Sequence, residues 1–391
     1  MIRKVKFNNF YSFKNTQEIC FLAKKKKTYD YFQSKSGDQI TKVAGFIGGN
    51  ASGKTNVMRL FSFLAYFVCA SSKNDSLRIA SQTFFNNNRP ASFSLEFEHD
   101  DLIFFYNFTV KDNKVLNEKL AVQALNKGAQ KKEVFNRELN IIVSNKTFFD
   151  ASSMTLLQNI RADVSLIAYL KANFSINIID TVFNYFANWH SNINERGDIN
   201  RDQYKHKAFE LYLSDPDLKA TAEKFVCDFD LGLSGFEFEE KTDAIERDDN
   251  NKLSIKIHGL HKGKQKLDFS YESRGTKQLI YILAGILYAI KHGGVVIADE
   301  IETGFHPEAV NKLISYFIDE NKDGKAQLIF SSHSLGFMNK LDMHQINLVE
   351  KNKEGESFTY RLNQVDNIRT DDNFLSKYLS GSYGAFPNIR V

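Results

Sequence analysis

Val43-Ala44-Gly45-Phe46-Ile47 runs directly into Gly48-Gly49-Asn50-Ala51-Ser52-Gly53-Lys54-Thr55, and Asn56 to Ala70 follows with apolar residues on nearly every side. A short, wholly apolar run that ends on two glycines reads as a buried strand feeding a tight turn. The residues after it read as a largely buried helix. Glycines in such a turn let backbone N–H groups converge on an anion, and the helix N-terminus adds its positive end to the same point. The eight residues from Gly48 fit the GxxxxGK[ST] pattern, in which the lysine supplies a point charge to phosphate oxygens and the last hydroxyl faces a divalent cation. Gly48, Gly49, Asn50, Ala51, Ser52, Gly53, Lys54, Thr55 and Asn56 are the candidate phosphate-binding set, with Thr55 also a candidate Mg²⁺ ligand.

Further along the chain, the apolar strand Val295-Val296-Ile297-Ala298 ends on Asp299-Glu300. In parallel sheets the ligand lies beyond the carboxyl ends of the strands, so both carboxylates are expected there. Asp299 is the candidate metal ligand, and Glu300 the candidate base for an attacking water. One helix later, at Glu308 to Asn321, a second apolar strand, Gln327 to Ser331, leads into Ser332-His333. The strand–helix–strand spacing is that of a parallel βαβ unit, which brings His333 to the same sheet edge as Glu300. Glu272-Ser273-Arg274-Gly275-Thr276 precedes a long apolar helix, Lys277 to Lys291. Ser273, Arg274, Gly275 and Thr276 read as a second anion-binding helix start. One chain needs only one such site per nucleotide, so two of them point to two chains sharing each ligand.

The rest of the chain is read more coarsely. Residues 1 to 47 form short strands, 91 to 110 a hairpin about His99-Asp100-Asp101, and 114 to 143 a further antiparallel pair. Residues 152 to 230 look helical, Asp243 to Asn251 a charged loop, and Leu253 to His258 a strand. The expected domains are 1–150, an N-terminal lobe with the glycine loop and a β-subdomain; 151–252, a helical insertion; and 253–391, a C-terminal lobe. Of 391 residues 25% are charged and 42% hydrophobic, an ordinary globular composition. No apolar run reaches the roughly 18 residues of a membrane helix and no signal peptide is evident, so a cytoplasmic protein with no membrane contact is expected. Cys20, Cys69 and Cys227 have no metal spacing and read as buried free thiols. The net charge of +4 and the short basic run Lys24 to Lys27 permit nucleic-acid contact without arguing for it.

These elements, in this order, resemble the ABC-type ATPase heads of the SMC, RecF and OLD families. Gly48 to Thr55 looks like Walker A, Ser273 to Thr276 like a degenerate ABC signature, and Val295 to Glu300 like Walker B with its catalytic glutamate. Glu302 to Pro307 resembles the D-loop, His333 the switch histidine, and Asn9-Phe10-Tyr11-Ser12-Phe13 the opening that lies near adenine in such heads. Gln158 is a candidate Q-loop glutamine, with Gln82 in the same interval. The resemblance implies an α/β P-loop fold with an N-terminal antiparallel β-subdomain and an inserted helical subdomain. It also implies ATP and Mg²⁺ as ligands, slow hydrolysis, and a homodimer or higher homo-oligomer that sandwiches ATP between one chain's Lys54 and the other's Ser273. The nearest subgroup is the stand-alone ATPases of abortive-infection, anti-phage systems. SMC and break-repair ATPases carry long heptad arms and OLD nucleases a Toprim domain; the residues after His333 are too few for the latter. A nuclease or toxin effector is therefore expected in a separate protein encoded nearby, with contact to nucleic acid or a phage protein left open. A RecF-like DNA-repair protein is the alternative.

Overall fold

In the computed structural model, Val43–Ile47 lies inside a six-stranded sheet ordered Trp189–Ser191, Gly294–Ala298, Ala326–Ser331, Val43–Ile47, Ile346–Lys351, Ser357–Arg361. The first five strands run parallel and the last is antiparallel to its neighbour. The structure describes residues 1–23, 30–73, 79, 81–126, 128–149, 160–197, 201–229, 232–239, 256–261, 265–304 and 306–386. Lys24 to Lys27, Gln158, Asp243 to Asn251, the start of the Leu253 strand and Phe305 of the D-loop-like run lie outside them.

Side chains of the parallel strands alternate between two cores. Val295, Ile297 and Ile329 join one, while Val296, Ala298, Leu328 and Phe330 join the other. The first core contains the helix Lys54–Ala70. A seven-stranded antiparallel sheet closes over that helix, in the order Ile141–Ser144, Lys132–Glu138, Lys114–Ala124, Leu102–Lys111, Ala91–His99, Ile2–Asn8, Gln17–Cys20. The Phe63 ring lies 5.1 Å from Phe93 and Phe67 stacks 4.4 Å from Phe108, both on the antiparallel sheet. Phe61 meets Trp189 of the parallel sheet at 6.4 Å. The helix is apolar all round because it has a sheet on each side. On the far face of the parallel sheet the second core holds Arg274–His292 and Pro307–Glu320.

The hairpin expected at 91–110 is Ala91–His99 and Leu102–Lys111, joined through Asp100 and Asp101 at φ 48° and 61°. Two adjacent left-handed residues give the turn whose twist suits paired strands. The antiparallel pair expected at 114–143 is instead three strands, because the chain reverses again at Leu139, φ 53°, to add Ile141–Ser144. The helices of 152–230 divide between the two faces of the sheet. Leu166–Asn173 and Asn177–Ala187 join the first core, Arg201–Ser214 and Pro216–Cys227 the second. Between these pairs, Trp189–Ser191 adds a parallel edge strand beside Gly294–Ala298. Three residues carry too short a pattern to stand out from helical surroundings. The cysteines are free, but the expectation that they are buried fails: Cys227 is exposed and the other two are half-buried. Among the described residues, no single helix is long and apolar enough to cross a membrane.

One buried polar network joins the antiparallel sheet to the helix Leu166–Asn173. Glu118 and Arg137, both 0% exposed, stand 3.5 Å apart. Glu118 accepts from Tyr106 Oη at 2.7 Å, Ser165 Oγ at 2.9 Å and the Leu166 backbone N–H at 2.8 Å. Arg137 donates to the Val164 carbonyl at 2.7 Å. Removing one member of such a pair leaves an uncompensated buried charge. Glu118→Ala is expected to destabilise the fold by about 3–5 kcal/mol in chemical denaturation, and Glu118→Gln, which keeps one acceptor oxygen, enough for Tyr106 and Ser165 or for Leu166, by less.

Candidate functional site

The loop Gly48 to Gly53 lies between the strand Val43–Ile47 and the helix Lys54–Ala70. Its shape is fixed from outside. A Cβ at Gly48 would stand 2.0 Å from the Val349 carbonyl oxygen of the neighbouring strand, so only glycine fits there. Gly53 has φ 119°, a conformation that side chains avoid, and a Cβ on it would meet Ser357 Oγ at 2.6 Å. Ser357 Oγ donates to the Ser52 carbonyl at 2.6 Å and lies 2.8 Å from Ser12 Oγ, whose proton it can accept. Ser12 Oγ also accepts from Asn56 Nδ2 at 2.8 Å. The Asn9 to Phe13 run, whose Phe10 and Phe13 are buried, is thereby tied to the loop.

Asn50, Ala51, Ser52, Gly53, Lys54, Thr55 and Asn56 line one cleft of about 760 Å³, together with Arg59, Glu300, Ser331, His333 and Lys351. Lys54 is buried and its Nζ donates to the Gly48 and Gly49 carbonyls at 2.8 and 2.9 Å. Burial lowers its pKa, against the opposing pull of Asp299, Glu302 and Glu300.

Asp299 and Glu300 follow the Gly294–Ala298 strand, and a single hydroxyl orders both. Ser331 Oγ donates to Asp299 Oδ1 at 2.5 Å and accepts from the Glu300 backbone N–H at 2.8 Å. Burial raises the Asp299 pKa; hydrogen bonds from Ser331 and Thr55 oppose that shift. From the other side, Asn192 clamps the backbone of Asp299, with Nδ2 donating to its carbonyl and Oδ1 accepting from its N–H, each at 2.8 Å. Glu300 sits at φ 48°, a strained conformation for a side-chain-bearing residue that recurs at functional sites. His333 Nε2 lies 3.8 Å from Glu300 Oε1, so the two strand ends meet as the βαβ spacing predicts. The His333 backbone N–H donates to Glu302 Oε1 at 2.5 Å.

Ser273, Arg274, Gly275 and Thr276 do not line this cleft. Ser273 caps the helix Arg274–His292, accepting from the Thr276 N–H at 3.0 Å. Gly275 packs so closely on Gly304 that an added Cβ would stand 2.2 Å from the Gly304 carbonyl oxygen. Within one chain the two helix starts are therefore separate, but the second is in contact with the turn that follows Glu300. Asn192, Ser357, Arg59 and Lys351 are site residues that no local motif announces.

No group of three His, Cys, Asp or Glu among the described residues could hold a metal ion by itself. The Asp299 carboxylate beside the Thr55 hydroxyl is nonetheless a hard-oxygen pair of the kind that Mg²⁺ takes together with phosphate oxygens.

Comparison with known proteins agrees with this geometry. A family model described as AAA domain, putative AbiEii toxin, Type IV TA system matches residues 43–339, well over half of the chain. An ATP/GTP phosphatase of Helicobacter pylori is 28% identical over 109 residues; the match covers 27% of this chain and 28% of that protein. The SMC head solved with the C-winged helix domain of ScpA shares the fold, with a TM-score of 0.53 and 14% identity over 93% of this chain and 99% of that one. The SMC head domain of Thermotoga maritima aligns over 92% of this chain and 98% of its own at a TM-score of 0.44 and 13% identity. The chain belongs to the family of AAA domains described as putative AbiEii toxin, Type IV TA system, and it has the P-loop fold of SMC head domains.

Proposed function

We propose that this ATPase head works as an ATP-dependent switch that controls a separate effector in anti-phage defence. The observation that carries its chemistry is the Ser331 hydroxyl, which bridges Asp299 and Glu300 while Glu300 and His333 lie 3.8 Å apart in the cleft that Lys54 also lines. In this reading the backbone N–H groups of Gly49 to Gly53 and the Lys54 ammonium hold the β- and γ-phosphates. Thr55 and Asp299 hold Mg²⁺, which when bound neutralises phosphate charge. Glu300 takes the proton of the attacking water, and His333 donates to the terminal phosphate.

Asp299 is placed as a ligand because it is buried and ordered by two hydroxyls, while Glu300 stands half-exposed at the cleft, where a water can reach it. Ser273 to Thr276, which lie outside the cleft of one chain, would complete the site of a second copy. The Gly275–Gly304 contact then joins the nucleotide interface to the turn beside Glu300. The AbiEii-type family supports a defence role, and the SMC head bound to the C-winged helix domain of ScpA, which has a similar fold, supports a protein partner.

Lys54→Ala is expected to abolish ATP binding in equilibrium titration. Glu300→Gln is expected to bind ATP normally, to lose about 10²–10⁴-fold in phosphate release, and to run as an ATP-dependent dimer in light scattering; hydrolysis at the wild-type rate would refute its role. Ser331→Ala, which frees both carboxylates, should lower kcat about 10–100-fold while leaving ADP affinity without divalent cation unchanged. Purification of the protein with its native neighbouring genes is expected to recover a stable complex with their product, and recovery of the ATPase alone would count against the switch.

A further inference from the structure

We propose that Arg59 positions the nucleotide by holding the phosphate nearest the sugar, and that Tyr11 and the turn ending at Gly197 fix its guanidinium for that task. The inference rests on reading the cleft as a nucleotide site. Arg59 lines that cleft one and a half helical turns beyond Lys54. Side chains on a helix lean towards its N-terminus, so a long one starting at position 59 reaches back towards the phosphate loop.

Three contacts hold the guanidinium. Its Cζ lies 4.7 Å over the Tyr11 ring, a cation–π contact. Nη1 donates to Asn56 Oδ1 at 3.1 Å. Behind it the chain turns at Gly197, whose φ is 81°; a Cβ there would stand 1.7 Å from Arg59 Nε and 2.5 Å from Cζ. The side chain is thus clamped between an aromatic face and a turn that tolerates only glycine. Its charge is nevertheless uncompensated: no carboxylate among the described residues pairs with it, and Nε is buried without an acceptor. A planar, fixed set of donors with unused capacity is suited to phosphate oxygens.

Position along the cleft selects which phosphate. Lys54 Nζ sits on the Gly48 and Gly49 carbonyls, in the charge field of Asp299 and Glu300. Arg59 is held by Tyr11 and Asn56 and makes no ion pair with either carboxylate. The clamp also reaches the acidic end of the site, because the segment that ends at Gly197 begins with Asn192, which holds the Asp299 backbone. Arg59 is accordingly a binding residue shared by di- and triphosphates and has no part in bond breaking.

The test uses the full chain, with ATP and ADP titrations and steady-state hydrolysis on Arg59→Ala, Arg59→Lys and Gly197→Ala, and with Lys54→Ala alongside. Arg59→Ala is expected to weaken ATP and ADP by the same factor, about 10–100-fold, and to raise KM while kcat is kept. Arg59→Lys should recover part of the loss. Gly197→Ala, which does not line the cleft, should weaken both nucleotides by displacing the guanidinium; if that variant does not fold, the Ala and Lys pair at 59 decides alone. Unchanged affinity in both Arg59 variants would overturn the assignment, and so would a loss confined to ATP, which would place Arg59 at the terminal phosphate. Wild-type binding by Lys54→Ala would instead sink the nucleotide reading itself, so the two failures are distinct.

Discussion

The helix that starts at Lys54 is buried between two sheets, and the site depends on that burial. Phe61 meets the parallel sheet, while Phe63 and Phe67 meet the antiparallel one. A helix gripped on both sides cannot slide or rotate without disturbing a close-packed core. Its N-terminus therefore points at one fixed place, beyond the carboxyl end of Val43–Ile47. The neighbouring strands end at the same level, which brings Glu300, Ser331 and Lys351 to the cleft that the loop opens. The antiparallel lobe thus does more than cover apolar surface: through Ser12, which meets Asn56 and the Ser357 hydroxyl of the edge strand of the six-stranded sheet, it also helps to fix the loop from behind.

On the proposed reading, the charge in the cleft suits a ligand that brings both a polyanion and a cation. Lys54, Arg59, Lys351, His333 and Glu300 all line it, and Asp299 is buried next to Glu300 in the chain. The two carboxylates are adjacent in sequence but differ in surroundings. Burial pushes Asp299 towards its neutral form, and the Ser331 and Thr55 hydroxyls counter that push. Glu300 is lifted into the cleft by a left-handed backbone turn. One hydroxyl, on Ser331, sets the position of both.

Much of this was legible in the sequence, for local reasons. The apolar run before Gly48, the glycine spacing and the apolar helix after it define strand, loop and helix within about thirty residues. Asp299, Glu300 and His333 could be read because each follows an apolar strand whose end marks the ligand side of a parallel sheet. What escaped was made by contacts distant in sequence or by elements too short to have a period. Ser357 reaches Ser52 across 305 positions, and Asn192 reaches Asp299 across 107. Trp189–Ser191 has three residues, and only its pairing with Gly294–Ala298 reveals it as a strand. Ser273 shows the opposite limit: its pattern read correctly as a helix start, but a cap and a phosphate site look alike until a second surface faces them.

On this account the cleft holds a phosphate chain and a divalent cation together, each dependent on the other, because Asp299 and Thr55 alone offer too few ligands. Electron paramagnetic resonance of Mn²⁺ added in place of Mg²⁺ addresses that claim most directly. The account predicts that Mn²⁺ binds tightly only when ATP is present, shows hyperfine coupling to phosphorus, and loses that signal in Asp299→Asn. Tight Mn²⁺ binding without nucleotide, or a nucleotide-dependent signal that survives Asp299→Asn intact, would contradict it.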